Sequence, residues 1–256
     1  MAAPIEHPPA TPRVALVTGG AGGLAQGICL ALAGAGYRIA FTFRPGGTAP
    51  DATLNLVRPF DPDVAAIGED LADTAGARRA IDGVERRRGP VDVAIHTLGP
   101  IVVKPFERSE PDDYQHMIEG NVGSSVALAF AVLPGMRARG FGRLVFFGMN
   151  GSHDTQPAPL MSLYAAAKAA VVTFARTLAV EEAKHGITVN VIEPGDIRDK
   201  TADRRTARAR TANNPTGRPG SWEDIADAVL FAIGDDAFYL NGMVIGVNGG
   251  RVEPHE

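Results

Sequence analysis

Short, continuously apolar runs alternate with helical patterns along nearly the whole chain, and this alternation constrains the fold more than any other feature. Arg13–Thr18 (RVALVT), Tyr37–Phe43 (YRIAFTF), Val64–Ile67, Val91–His96 (VDVAIH), Leu144–Phe147, Thr188–Glu193 (TVNVIE) and Met243–Val247 read as strands. Because they are mostly apolar without a polar alternation, both faces of each must be covered, as in a parallel sheet with crossover helices. Helical patterns fill the gaps: from Leu24 to an exit at Gly34 and Gly36, Thr74 to Arg88, about Pro111 to Arg139, Pro159 to His185, and Trp222 to Ile233. Only RPGGTAPDATLNLVRPFDPD (44–63) breaks the rhythm, and its prolines and glycines argue against a regular helix there. The expectation is a single α/β domain over residues 13–256, with a doubly wound, mostly parallel seven-stranded sheet and helices on both faces. A proline-rich, disordered tail is expected over residues 1–12.

Composition narrows the function classes. A chain of 256 residues suits one large domain, and 45% hydrophobic residues supply its core. The net charge of −4 gives no electrostatic reason to expect nucleic acid or an anionic membrane as partner. Cys29 is the only cysteine, so no intrachain disulfide forms, and its apolar helical setting marks it as a core residue. No uninterrupted apolar run of membrane-spanning length and no leader pattern stand out, so a cytoplasmic protein is expected. No metal site is expected.

Two local patterns carry chemistry. The turn TGGAGGLA (Thr18–Ala25) follows the first strand and opens the first helix. Its Gly19, Gly20 and Gly23, with Leu24, suit a dinucleotide pyrophosphate, since glycine permits close backbone approach and a helix N-terminus presents free amides. A ligand-free tight turn is the plainer alternative. At the end of the second strand stands Arg44, where an acid would select NAD and a base accommodates the 2′-phosphate of NADP. NADP(H) is therefore preferred, with NAD(H) as the alternative coenzyme. Asp70 is suited to capping a helix or contacting the adenine. In YAAAK, Tyr164 and Lys168 lie four residues apart and share one helix face. A neighbouring cation favours the ionised form of a phenol that otherwise titrates near pH ~10. A cofactor turn and a proton-donating pair together suggest hydride transfer.

These motifs, with GNVGSS, NVIEPGDI and NGMVIGVNGG in the same order, resemble the short-chain dehydrogenase/reductase family from Arg13 to Gly250, and in overall pattern its 3-oxoacyl-(acyl-carrier-protein) reductase branch. The resemblance implies a Rossmann fold and a role for each matched residue. Tyr164 would protonate a substrate carbonyl or deprotonate an alcohol. Lys168 would lower the pKa of Tyr164 and hold the nicotinamide ribose, and Asn121 would anchor a water in the proton relay. Asp70 and Leu71 would border the adenine; Pro194, Gly195 and Ile197 would flank the nicotinamide. The family's cofactor-supporting NNAG is HTLG here, which puts Thr97, Leu98 and Gly99 in that role after His96. The substrate-orienting serine is missing at its usual place. Counting back from Tyr164 gives Gly151 and counting forward from Asn121 gives Met149, so Ser152, the nearest hydroxyl, is assigned the task, with Asn150 the nearest amide.

Other features point elsewhere or nowhere. SHD (Ser152, His153, Asp154) is no catalytic triad, because adjacent residues do not form that geometry, and His153 reads as a solvated loop residue. Arg204, Arg205, Arg208 and Arg210 read as a solvated helix face, with docking of a phosphate or carboxylate as the sharper alternative. The resulting expectation is an NADPH-dependent oxidoreductase acting on a small carbonyl or alcohol, including an acyl-carrier-linked 3-oxoacyl ketone. A catalytically weak NADP-binding regulator or scaffold is the competing reading, motivated by the missing serine. Reduction of a conjugated double bond ranks lower, since relatives that do this space tyrosine and lysine further apart. The resemblance also implies a homotetramer or homodimer.

Overall fold

In the computed structural model, which describes residues 12–250, the seven apolar runs form one sheet in the order β3-β2-β1-β4-β5-β6-β7, every neighbouring pair parallel. The strands are β1 (Val14–Thr18), β2 (Arg38–Phe43), β3 (Ala65–Gly68), β4 (Val91–His96), β5 (Gly142–Phe147), β6 (Ile187–Pro194) and β7 (Val244–Val247). All five residues of β1 and all six of β5 are buried, as strands covered on both faces must be. The order reverses between β1 and β4, so the carboxyl ends of these two strands open the crevice in which such sheets bind ligands. The expected tail lies outside the described residues except at Pro12.

Each face of the sheet has its own core. Helices α1 (Gly23–Gly34) and α8 (Trp222–Ile233) cover one face, where Ile28, Leu32, Ile225 and Val229 pack on Val17, Phe41 and Ile95. On the other face lie α3 (Thr74–Arg88), α5 (Ser124–Arg139) and α6 (Ser162–Glu182). There Ile81, Leu128, Met136 and Val171 pack on Leu16, Leu144 and Val189. A fully buried Leu or Ile contributes roughly 1.5–3 kcal/mol, so these two layers carry most of the stability. Cys29 is buried in the first layer, as expected.

Three local departures from the expected pattern matter. A helix, α2, does form over Asp51–Val57: Pro50 sits at its N-cap and Pro59 beyond its end, so neither proline interrupts its hydrogen bonds. The long helical stretch from Pro111 is not continuous α-helix. Following α4 (Pro111–Met117), the chain widens to a π-turn over Ile118–Gly123 before α5 begins. Finally, α6 starts at Ser162 rather than Pro159, because Leu160 adopts φ +68 and its carbonyl accepts from Lys104 N at 2.8 Å.

Two helical stretches, Pro111–Arg139 and Ser162–His185, are long and apolar enough to cross a membrane, a length the sequence reading did not find. Here they flank the sheet, and much of their apolar surface is spent on it.

Candidate active site

A trough runs along the carboxyl ends of β1, β2 and β4. Its wider part, a cavity of about 380 Å³, is bordered by Gly19, Gly22, Arg44, Thr48, Asp70 and Leu71. It continues into a cavity of about 260 Å³ that shares Gly19, Gly22, Gly23 and Leu98 and adds Leu24, Thr97, Gly99 and Phe147. The glycine turn, Arg44, Asp70, Leu71 and the Thr97–Gly99 segment are thus brought together along one groove. Gly20 is not on the groove. It packs behind the turn, where a Cβ would stand 2.4 Å from Phe41 Cβ, so its lack of a side chain serves the sheet.

The turn leaves donors free. Gly22, the N-cap of α1, makes no side-chain cap, and the first turn of α1 has no acid. These unsatisfied amides and the positive helix end suit an anion. Arg44 is exposed and its Nε donates to Asp70 Oδ2 at 2.9 Å, which leaves its terminal nitrogens available beside Thr48. Asp70 also accepts from Ala72 N at 3.1 Å, closing the loop after β3. Thr48, in the GGT that follows Arg44, was missed in the sequence; its place just after Arg44 was the available signal.

Tyr164 and Lys168 share one face of α6, with Lys168 Nζ 5.7 Å from the Tyr164 ring centroid. Lys168 is buried and donates to Phe147 O at 2.8 Å, which fixes it at the end of β5. Burial, then the charge of Lys200, lowers the Lys168 ammonium to about 8, so it remains charged at neutral pH. Tyr164 moves opposite to the sequence expectation. Its phenol is pushed up to about 12, because burial disfavours the charged phenolate.

Asn121 stands in the π-turn, fully buried, with Nδ2 donating to Met117 O (3.0 Å) and Pro100 O (3.1 Å). Its Oδ1 has no partner among the described residues, an unusual state for a buried amide oxygen. Gly99, at φ +157, explains how this oxygen and the lysine meet. A Cβ there would come within 2.4 Å of Asn121 Oδ1 and 2.9 Å of Lys168 Nζ. Only glycine leaves that space open.

His96 braces this corner from behind. It is buried between Thr18 Oγ1 (3.1 Å to Nδ1) and Ser124 Oγ (3.0 Å to Nε2). Ser124 Oγ donates to Gly120 O at 2.6 Å, so it accepts from Nε2–H, and Nδ1 accepts from the Thr18 hydroxyl. Thr97 N donates to Thr18 Oγ1 at 3.1 Å, which joins the strand ends to the π-turn in one directed chain.

Ser152, assigned to orient a substrate carbonyl, is buried. Its hydroxyl donates to Glu193 Oε1 at 2.6 Å and accepts from Met149 N at 3.1 Å. The proton needed to polarise a substrate carbonyl is therefore already engaged. Asn150 Oδ1 accepts from Asn248 Nδ2 at 2.6 Å. Ser152 and His153 both turn to Glu193 rather than to each other, consistent with the rejected triad, and His153 is tethered rather than merely solvated.

Glu193, fully buried at the end of β6, went unnoticed in the sequence. Its carboxylate collects Gly151 N (3.0 Å), Ser152 Oγ (2.6 Å), His153 N (3.0 Å) and His153 Nδ1 (2.8 Å). Glu193→Gln turns one acceptor oxygen into a donor facing donors, and urea unfolding should show a loss of about 2 kcal/mol. An unchanged midpoint would mean that the carboxylate does not hold the turn.

Gly195 N donates to Val247 O at 3.0 Å, which docks the Pro194–Gly195 segment on β7. Ile197 borders a different cavity, of about 300 Å³, with Asn214, Thr216 and Arg218. The arginines do not form one cluster. Arg204 is committed to Asp224 (3.0 Å) and Asp227 (2.5 Å), both on α8, and Arg210 to Asp199 (3.4 Å), while Arg205 and Arg208 are exposed.

Comparison with known proteins gives a consistent picture. A family model described as enoyl-(acyl carrier protein) reductase matches residues 19–251. The acetoacetyl-CoA reductase of Shinella zoogloeoides is 33% identical over 248 residues, 93% of this chain and 98% of that protein. The 3-oxoacyl-(acyl-carrier-protein) reductase of Salmonella typhimurium is 30% identical over 93% of this chain and 96% of its own. Among solved structures, a blue fluorescent protein from a metagenomic library, in complex with NADPH, superposes with TM-score 0.81 at 31% identity, covering 94% of this chain and 98% of its own. A Serratia marcescens short-chain dehydrogenase/reductase gives TM-score 0.83 at 27% identity, covering 94% and 98%.

Proposed function

This chain belongs to the short-chain dehydrogenase/reductase family, and from that footing we propose that it reduces a ketone to an alcohol with NADPH, using Tyr164 as proton donor. The observation that carries the reading is the meeting of Lys168 Nζ and the unpartnered Asn121 Oδ1 at Gly99, at the inner end of the trough. The trough suits a dinucleotide: free amides at α1, a basic residue at the end of β2, and a buried acceptor without a partner among the described residues.

A bound NADPH supplies the hydride. Every other part belongs to the chain. Tyr164, kept protonated by burial, gives its proton to the carbonyl oxygen as charge develops there. Lys168 stands beside the phenol as a cation, stabilising the phenolate left behind and holding a ribose hydroxyl. Asn121 Oδ1 accepts from a water that returns a proton toward Lys168. Arg44 meets the 2′-phosphate, Asp70 and Leu71 border the adenine, and Pro194 and Gly195 flank the nicotinamide.

The relatives named as acetoacetyl-CoA and 3-oxoacyl-(acyl-carrier-protein) reductases support a 3-oxoacyl-type ketone. The four-residue spacing of Tyr164 and Lys168 speaks against a conjugated double bond, although the matching family model is described by enoyl reduction. One observation favours a second reading, an NADP-binding regulatory or scaffold protein: the hydroxyl nearest the missing serine is engaged by Glu193. In either reading the protein works in the cytoplasm as a homotetramer or homodimer, and exposed apolar residues such as Phe130 on α5 and Val180 on α6 suit subunit contacts.

One experiment separates these readings. Purified protein is mixed with NADPH and a carbonyl panel that includes acetoacetyl-CoA, and nicotinamide absorbance is followed. Turnover supports the enzyme, whereas tight NADPH binding without turnover supports the regulator. In the same assay Arg44→Ala should raise the KM for NADPH about tenfold or more and leave that for NADH nearly unchanged. Equal effects on both coenzymes would remove the 2′-phosphate role.

A further inference from the structure

Lys200, on the segment between β6 and the short helix α7 (Arg204–Arg208), is a cation the proposed mechanism does not use. Its backbone is fixed by Asp199, whose carboxylate accepts from Thr201 N (3.1 Å) and Thr201 Oγ1 (2.8 Å). The Asp199 carbonyl closes the same turn by accepting from Ala202 N at 3.1 Å. From this anchored turn the side chain reaches back to the glycine turn. Lys200 Cδ and Cβ lie 3.7 and 3.9 Å from where a Cβ on Gly23 would stand.

Lys200 borders the inner cavity with Gly19, Gly22, Gly23, Thr97 and Gly99, and among the described residues no acidic one borders that cavity. Among the described residues Lys200 has no hydrogen bond or ion pair. Its charge is felt by Lys168, where it adds to the lowering of that ammonium. The uncapped amides of α1 open onto the same cavity. Three sources of positive potential with no anion among them describe an anion site.

We propose that Lys200 is a pyrophosphate-binding residue, crossing from the β6–α7 segment over the glycine turn to pair with the diphosphate bridge of the dinucleotide. The inference rests on the trough being a dinucleotide site, and it adds a second clamp to the backbone amides. It also divides the phosphate contacts, with Arg44 on the 2′-phosphate and Lys200 on the bridge.

Calorimetric titration of wild type, Lys200→Ala, Lys200→Arg and Arg44→Ala tests it, with NADPH and with 2′-AMP, which carries the 2′-phosphate but no pyrophosphate. Lys200→Ala should weaken NADPH about tenfold or more, leave 2′-AMP within twofold, and be largely rescued by arginine. Added salt should shrink the NADPH difference. Because Lys200 is exposed, thermal midpoints without ligand should coincide with wild type. If wild type binds neither ligand, the dinucleotide reading and this inference both fall. If wild type binds NADPH and Lys200→Ala binds it equally well, or loses 2′-AMP in step with NADPH, the pyrophosphate role alone is overturned.

Discussion

Tyr164→Phe should lower the turnover of ketone reduction by about 10²–10⁴-fold while NADPH still binds with nearly wild-type affinity. Phenylalanine keeps the ring, the packing on α6 and the distance to Lys168, and removes only the ionisable proton. The size of the loss follows from the part assigned to that proton. A carbonyl receiving hydride becomes an alkoxide, and a positioned acid removes the charge as it forms. Burial holds the Tyr164 phenol near 12, so at neutral pH almost every molecule carries the proton that reduction needs. Reduction should therefore tolerate moderately alkaline conditions until Lys168, near 8, gives up its charge and the phenolate loses its partner. Single-turnover measurements with saturating NADPH isolate the chemical step from product release. A variant that turns over at the wild-type rate would take the proton away from Tyr164 and leave the engaged Ser152 and the Glu193 cluster as the wrong parts to have set aside.

How much of this was legible depended on whether a feature is local. The Tyr164–Lys168 pair could be read because residues four apart on a helix share a face whatever surrounds them. The sheet could be read because continuous apolar runs have few other fates. Helix α2 was lost because its flanking prolines were weighed as breakers, although both fall at the ends, where they break no bond. The π-turn at Asn121 changes the hydrogen-bond ladder by one residue, and apolar periodicity is too coarse to register that. Glu193 and Lys200 were invisible for another reason. Glu193 meets Ser152 across 41 positions, and Lys200 meets the turn at Gly23 only through the folded crossover. The expected lowering of the Tyr164 phenol failed in sign, since proximity to a cation was visible in the sequence and the burial that raises the phenol was not.

Stability should fall as pH drops below 6.5, and His96 should account for the first part of the fall. Burial, aided by the charge of Lys168, lowers the His96 imidazole to about 3 from an unfolded value of 6.5. Above 6.5 neither state holds the extra proton, so the full stability is present. Between 6.5 and about 3 the unfolded chain takes up a proton that the native ring refuses, and stability is lost at about 1.4 kcal/mol per pH unit. At pH 5 the loss is therefore about 2 kcal/mol, a sizeable share of the 5–15 kcal/mol typical of a folded domain. Geometry says why the native ring refuses. Nδ1 accepts from Thr18 and Nε2–H donates to Ser124, so a second ring proton would face the Thr18 hydroxyl inside the core, near the Lys168 ammonium. Carboxylates such as Asp113 and Asp224, held below their usual range in the native state, add their own loss only as pH nears 3.8. The interval between 6.5 and about 4.5 is thus the place to look. His96→Asn can keep one of the two hydrogen bonds and cannot titrate, so it should start less stable at pH 7.5 and lose less on acidification. Urea midpoints taken across that interval should make the wild-type and variant curves converge. Parallel curves would mean that the imidazole accepts its proton without cost, and that the chain from Thr97 through Thr18, His96 and Ser124 does not brace the π-turn carrying Asn121.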